Sequence, residues 1–332
     1  MNIDPGPIMR LSTAYWESQV LLTANRMGVF EALKQGPQTL EAVAATLNTK
    51  PEPTRLFLNS CVALGLLEGN SDGYKNSAMS QVFLVAGSPA FMGNAIRYSD
   101  NLYATWGQLE QALRTGIPPM SPETYTGGDA EKTRHFVYGM HNRALGIGRM
   151  LVDLVDLTGR TQLLDIGGGP GTYASLFAQR YPQLRARVLD LPGVVDVARE
   201  IVASMGVADR VEFIPGDYGH TPYPRGNDVA LISGVFHREN PADCQRLIAR
   251  AAEALLPGGL LVLSDVFADA GGTAPAFAAL FGINMMLTAP QGCVHADKDV
   301  ATWLANAGFQ DITTKHFAPP MPHRVVAGVK IK

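Results

Sequence analysis

Cysteine is scarce: Cys61, Cys244 and Cys293 are the three in the chain. An odd number of widely spaced thiols gives neither a disulfide framework nor a zinc-ligand spacing, and it fits a reduced, cytoplasmic setting. Excess charge is lacking too. The formal net charge is −3 over 332 residues, which disfavours nucleic acid and an anionic membrane surface as partners. No apolar run reaches the roughly 18 to 20 residues that span a bilayer. The first residues lack a basic region followed by an apolar core, so no signal peptide is expected. Internal repeats and low-complexity segments are missing as well. The length fits two domains better than one and can bury a sizeable core.

The stretch Leu163-Leu164-Asp165-Ile166-Gly167-Gly168-Gly169-Pro170-Gly171 organises the rest. It reads as an apolar strand running into a glycine-rich turn with a helix just after. Glycine tolerates positive φ and lets backbone approach a ligand closely.

Before it, apolar spacing predicts helices over 11–27, 30–33, 40–47 (capped by Thr39) and 51–64, with Leu56, Phe57 and Leu64 as core candidates. A hairpin follows over 65–74, around a Gly/Asn/Asp turn that includes Ser71 and Asp72. Helices then hairpin outline a winged helix. Such a module reads DNA or joins subunits. A phosphate-reading surface is clearly basic, whereas Arg10, Arg26, Lys34, Lys50, Arg55, Lys75 and Arg97 are balanced by Asp4, Glu17, Glu31, Glu41, Glu52, Glu68 and Asp72. The apolar first helix is the better candidate for a subunit contact. A helix is expected over 91–114, a turn-rich segment over 121–128, and a long helix over 130–157. The long helix carries Phe136, Met140, His141, Leu145, Met150 and Leu151, mostly as core. His141 reads first as a structural histidine.

From Gln162 strands and helices alternate. Strands are expected over 162–166, 186–190, 211–215, 228–233 and 260–266, with two more near 311–316 and 324–329. Helices are expected over 173–180, 194–205, 242–256, 274–287 and 298–307, with Pro257-Gly258-Gly259 as a turn. This is an α/β, doubly wound, mostly parallel seven-stranded sheet, in which ligands bind beyond the carboxyl ends of the strands. Asp190, Asp217, His237 and Asp265 each end or follow a strand, so they share an edge with the glycine turn. Thr172 stands where a dinucleotide fingerprint needs a third small residue, and no phosphate-binding lysine follows the turn. Asp190 can instead hold the two hydroxyls of a ribose. Asp217 can accept from an exocyclic amine while Tyr218 lies against a base.

Asp165-x-Gly167-x-Gly169-x-Gly171, Asp190-Leu191-Pro192, Gly216-Asp217-Tyr218 and Leu256-Pro257-Gly258-Gly259 resemble the S-adenosylmethionine-binding motifs of class I methyltransferases. With the winged-helix module, nearly the whole chain resembles the small-molecule O-methyltransferases of the plant caffeate/flavonoid type and their bacterial natural-product relatives. The resemblance implies a homodimer through a winged-helix dimerisation domain (1–100), connecting helices that contribute to the substrate pocket (101–157) and a donor-binding catalytic domain (158–332). It implies S-adenosyl-L-methionine as cofactor and S-adenosyl-L-homocysteine as product. Donor binding would fall to Asp165, Gly167, Gly169, Gly171, Asp190, Leu191, Asp217, Tyr218 and Ser233.

In that family a histidine after the fourth strand is the general base, and His237 stands there. A phenol with pKa near 10 is a poor nucleophile at neutral pH, and a neutral imidazole in reach can take its proton. His237 reads as that base or as a structural loop histidine. Asp265 matches one acid that orients the base. The other falls near Val294, which is no acid, and leaves the role of His295 open. Arg238-Glu239 replaces the family's aspartate and tryptophan. Arg238 reads as a partner for a substrate carboxylate or as a solvated charge. No Asp-Asp-Asn metal arrangement is present, so no metal is expected. Phe136, Met140, His141, Phe281, Asn284, Met285 and Met286 are acceptor candidates and suit a flat aromatic or polyketide-like molecule. Met285-Met286 reads equally as core filler. The favoured reading is methyl transfer to a hydroxyl. The alternatives are transfer to carbon or nitrogen, a relative that uses the bound cofactor without methylating (decarboxylase, hydroxylase or pericyclase), and a cofactor-sensing DNA binder.

Overall fold

The computed structural model describes residues 3–70, 73–120, 129–319 and 321–331. The turn-rich segment expected over 121–128 and the hairpin residues Ser71 and Asp72 lie outside them. The chain divides into two compact units, Met1–Tyr103 and Ala104–Lys332.

In the first unit α1 spans Gly6–Met27, starting earlier than expected. It ends where Gly28, at φ 78°, donates its N–H to the carbonyls of Ala24 and Asn25. Helices α2 (Val29–Ala32), α3 (Leu40–Thr46) and α4 (Pro51–Ala63) follow. Thr39 caps α3 by accepting the Ala42 N–H, and prolines open α4 where their missing N–H costs nothing. Strands β1 (Leu67–Asn70) and β2 (Gly73–Asn76) pair antiparallel as the hairpin. A short helix unforeseen in the sequence, α5 (Ala78–Phe83), is capped by Ser77. The core joins Ala24, Phe30, Leu33, Val43, Leu58, Cys61 and Tyr74. Leu56 and Leu64 are corrections: they are 60% and 38% exposed. The buried face of α4 runs through Thr54, Leu58 and Cys61, and two residues along a helix turn Leu56 away from Leu58.

The helix expected over 91–114 is two, α6 (Gly93–Trp106) and α7 (Leu109–Thr115). In the second unit, α8 (Ala130–Leu154) is capped by Asp129, which accepts the N–H groups of Glu131 and Lys132. Its buried stripe is Thr133, Val137, Gly139, Ala144, Gly148, Leu151 and Val152. Of the core residues expected here only Leu151 is buried; Phe136, Met140, His141, Leu145 and Met150 are half-buried. The stripe uses small residues because α9 (Thr172–Arg180) packs close: a Cβ on Gly148 would lie 2.5 Å from Leu176 Cδ1 and 2.8 Å from Tyr173 Cδ1.

The large sheet has strand order β5-β4-β3-β6-β7-β9-β8. Strands β3 (Gln162–Ile166), β4 (Arg185–Asp190), β5 (Val211–Pro215), β6 (Asn227–Ser233) and β7 (Leu255–Asp265) are parallel. Strands β8 (Phe309–His316) and β9 (Arg324–Lys330) return antiparallel. Pro257-Gly258-Gly259 is not a separate turn. It lies within β7, where pairing with β6 jumps from Asn227–Leu255 to Val229–Leu260, so the extra residues form an irregular entry to the strand. Helices α10 (Pro192–Ser204), α11 (Pro241–Ala254), α12 (Ala276–Thr288) and α13 (Asp297–Asn306) complete the unit. Side chains alternate along the strands, so each face of the sheet has its own core cluster. Leu163, Val188 and Phe177 belong to one, and Leu164, Ile232 and Ile248 to the other. Among the described residues, no helix is long and apolar enough to cross a membrane.

Gly148→Val should lower unfolding free energy by about 2 kcal/mol, the middle of the range for overpacking a tight contact, measured by urea denaturation. A variant as stable as the parent would show that the α8–α9 seam has slack.

Candidate active site

The carboxyl ends of the parallel strands bring the site residues together. Asp165 sits one residue before the end of β3 and is fully buried. Gly167, Gly169 and Gly171 follow with φ of 69°, 53° and 70°, the left-handed region that side chains resist. A Cβ on Gly167 would lie 2.8 Å from Val235 Cγ2 and 3.3 Å from Tyr218 Cδ1, whereas one on Gly169 would meet nothing within 4 Å. The turn is thus packed on one side and open on the other. On the neighbouring strand Asp190 Oδ2 accepts the Gly169 N–H at 2.7 Å and Oδ1 accepts the Leu191 N–H at 2.8 Å. Asp217, with a half-exposed carboxylate, accepts the Gly219 N–H at 2.6 Å. Tyr218 lies against Gly167 and donates its hydroxyl to Glu239 at 2.6 Å.

Charge distinguishes between ligands here. Both oxygens of Asp165 lack a hydrogen-bond partner among the described residues. Burial, then the Asp190 carboxylate, push its pKa up to about 7. Burial also raises Asp190, partly offset by the N–H groups of Leu191 and Gly169 and by the charge of Arg238. Two carboxylates whose ionisation is costly suit a cationic ligand and repel a pyrophosphate. A sulfonium nucleoside fits this donor set.

On the other side of β3, β6 ends at Ser233, whose hydroxyl bonds the half-buried Tyr173. One 3-10 turn, Phe236–Arg238, then carries His237. Its Nδ1 lies 2.7 Å from Asp265 Oδ1, and its main-chain N–H donates to Asp265 Oδ2 at 3.3 Å. Asp265, at the end of β7, is 3% exposed. Burial acts to raise its pKa, but the charge and hydrogen bond of His237 and the Val266 N–H hold it below the usual range. Phe281 stands edge-on to His237 at 5.0 Å and stacks on Phe277 at 5.9 Å.

Other expected residues separate. His141 Nδ1 is 2.8 Å from the Thr172 hydroxyl at the start of α9, with its pKa lowered by burial, so it ties α8 to the glycine turn. Asn284 accepts from the Trp106 indole at 2.9 Å. Met285 is 4% exposed, and its backbone packs where a Cβ on Gly292 would clash. Met286, Phe136 and Met140 are half-buried. The charge of Arg238 acts to lower the pKa of both Asp190 and Tyr218. Sequence reasoning missed His323. Burial lowers its pKa to about 4, Asp265 acts to raise it, and the charges of Arg143 and His237 lower it further. Its signal was the returning strand β9, whose Arg324 pairs with Asp265 and leaves His323 at the site's edge.

Fold, glycine turn and dyad define an S-adenosylmethionine-dependent methyltransferase. The chain belongs to the O-methyltransferase family: its O-methyltransferase domain model matches residues 106–310, and the O-methyltransferase dimerisation domain matches residues 9–86. The chain is similar to 3-hydroxy-5-methyl-1-naphthoate 3-O-methyltransferase of Streptomyces sahachiroi, 31% identical over 98% of this chain and 95% of that protein. It is 32% identical to the tetracenomycin polyketide synthesis 8-O-methyl transferase of Streptomyces glaucescens, over 95% of this chain and 94% of the relative. Among solved structures, human N-acetylserotonin methyltransferase in complex with S-adenosylmethionine aligns at TM-score 0.89 and 25% identity, covering 100% of this chain and 99% of that one. The methyl donor is S-adenosyl-L-methionine.

Asp165 has a folded-state pKa raised above its unfolded value, so the stability linked to it is full at low pH and lost as pH rises through about 7. Asp165→Asn should therefore raise the Tm of the donor-free protein at pH 8 more than at pH 5, by scanning calorimetry. An equal shift at both would contradict the buried, reluctant carboxylate.

Proposed function

We propose that the chain methylates a phenolic hydroxyl of a small aromatic or polyketide-like acceptor, with His237 as general base. The observation that carries this is the His237–Asp265 pair at the carboxyl edge, with Phe281 against the imidazole. The substrates named for the two Streptomyces relatives, a hydroxynaphthoate and a tetracenomycin polyketide, support the acceptor class.

When bound, the donor supplies a methyl group activated by a sulfonium. Asp165, the glycine turn, Asp190 and Asp217 hold it beyond β3, β4 and β5. Asp265 stays ionised and accepts from Nδ1–H, which leaves the Nε2 lone pair of His237 free. Nε2 takes the acceptor's hydroxyl proton as its oxygen attacks, and Asp265 stabilises the imidazolium. Phe281 and Phe277 offer a flat wall for an aromatic ring. Methyl transfer is an in-line displacement, so positioning carries most of the acceleration.

The reading includes a homodimer joined through a domain at 1–100, helices at 101–157 that lend acceptor contacts, and a catalytic domain at 158–332. The dimerisation-domain match and the exposed Ile8, Met9, Leu11, Tyr15 and Trp16 of α1 support it. Its location is the cytoplasm, consistent with three free thiols.

A methyl-labelled donor assayed over a panel including N-acetylserotonin and 3-hydroxy-1-naphthoic acid should label a phenolic ether. His237→Ala should then lose roughly 10²- to 10⁴-fold in kcat, with donor affinity unchanged by calorimetry. Unchanged turnover would remove His237 from the chemistry.

A further inference from the structure

His295 lies outside the chemistry described, yet it is 7% exposed and fully engaged. Its Nε2 is 3.0 Å from the Phe236 carbonyl and 2.9 Å from the Glu239 carbonyl. These carbonyls bracket the turn that carries His237. A carbonyl only accepts, so Nε2 carries the proton and donates to both. The ring is set edge-on to Trp303 at 5.2 Å and to Phe236 at 6.4 Å. Two thiols converge on the same place: Cys244 Sγ and Cys293 Sγ lie 3.4 Å and 3.6 Å from Nε2, and Cys293 donates to the Glu239 carbonyl at 3.4 Å. Burial pushes both thiols up, so they remain neutral donors.

The same segment grips both halves of the dyad through its main chain. The Cys293 N–H donates to the His237 carbonyl at 3.0 Å. The His295 carbonyl accepts the Ala268 N–H at 2.9 Å, three residues past Asp265. Val294, between them, packs in the cluster of Val266, Ala268 and Phe281. A single short stretch therefore sets the distance between the turn bearing the imidazole and the strand end bearing the carboxylate.

We propose that His295 is a positioning residue for methyl transfer: by bracing the carbonyls on either side of His237, it holds the imidazole on Asp265 where Val294 stands in place of a second acid. The inference rests on His237 being the base. The geometry makes the donor on Nε2, rather than the ring's bulk, the working part. Gln places an amide N–H₂ near the same point, and Phe keeps the ring against Trp303 without a donor.

Three measurements test it on the full chain. Proton NMR of the donor-free protein should show a far-downfield His237 Nδ1–H resonance, identified by its loss in Asp265→Asn. His295→Gln should keep that resonance and keep kcat within about threefold, and His295→Phe should broaden or shift it and lose roughly 10- to 100-fold in kcat, the scale of a sub-ångström to ångström misplacement. Calorimetric affinity for S-adenosyl-L-methionine should be the same in all three. A folded His295→Phe with unchanged resonance and turnover overturns the proposal. So does a folded His295→Gln that loses the resonance, which decides the matter if the Phe variant does not fold. The resonance needs no acceptor, so failure of the acceptor panel, which would count against the functional reading, is distinguishable from failure of the brace.

Discussion

The hydrogen bond from His237 Nδ1 to Asp265, at 2.7 Å, is the contact on which the rest of the site depends. An ionised carboxylate that is 3% exposed pays a desolvation cost that only close donors offset. Asp265 has them: the imidazole, the His237 main-chain N–H and the Val266 N–H. None of these is long-range in the sheet. Strands β6 and β7 are hydrogen-bonded neighbours, with Ser233 opposite Ser264, so the turn after β6 and the end of β7 meet by construction. Because Asp265 occupies Nδ1, the fold itself settles the tautomer of a neutral imidazole, so the proposed base needs no reorganisation to act.

The sheet was largely legible in the sequence. Strands expected over 162–166 and 211–215 coincide with β3 and β5, because largely apolar runs bounded by turns leave little choice of ends. Strand alternation then put Asp165, Asp190, His237 and Asp265 on one edge with no side-chain information. Helix faces were less legible. In α8 the expected core followed the large residues, whereas the structure buries Ala144 and Gly148 because α9 comes close; small residues carry no hydrophobic signal to read. Leu56 shows the same limit, since α4 buries Thr54 beside Leu58. His323 and His295 could not be paired with the dyad from spacing alone: one comes just before an antiparallel return strand, the other on the segment after α12.

The site is electrically asymmetric, and the asymmetry has a direction. Around the glycine turn, Asp165 and Asp190 both resist ionisation through burial, and the Asp190 carboxylate makes charge on Asp165 more costly still. Beside His237 stand Phe281 and the Phe277 stacked on it, with a histidine kept neutral at His323. A pair of reluctant carboxylates gains most from a ligand bearing positive charge and least from a neutral one of the same shape. Methyl transfer converts the first into the second, since a sulfonium gives up its charge with its methyl group. If these carboxylates hold the donor as proposed, that interaction weakens when the reaction is complete. In the proposed mechanism the acceptor's proton comes to rest on His237, against Asp265, a carboxylate that three close donors help to keep ionised. On that proposal the acids divide between strand ends, one set facing the sulfonium and one facing the proton, and the imidazolium has only to release its proton to solvent for the site to return to its starting charge.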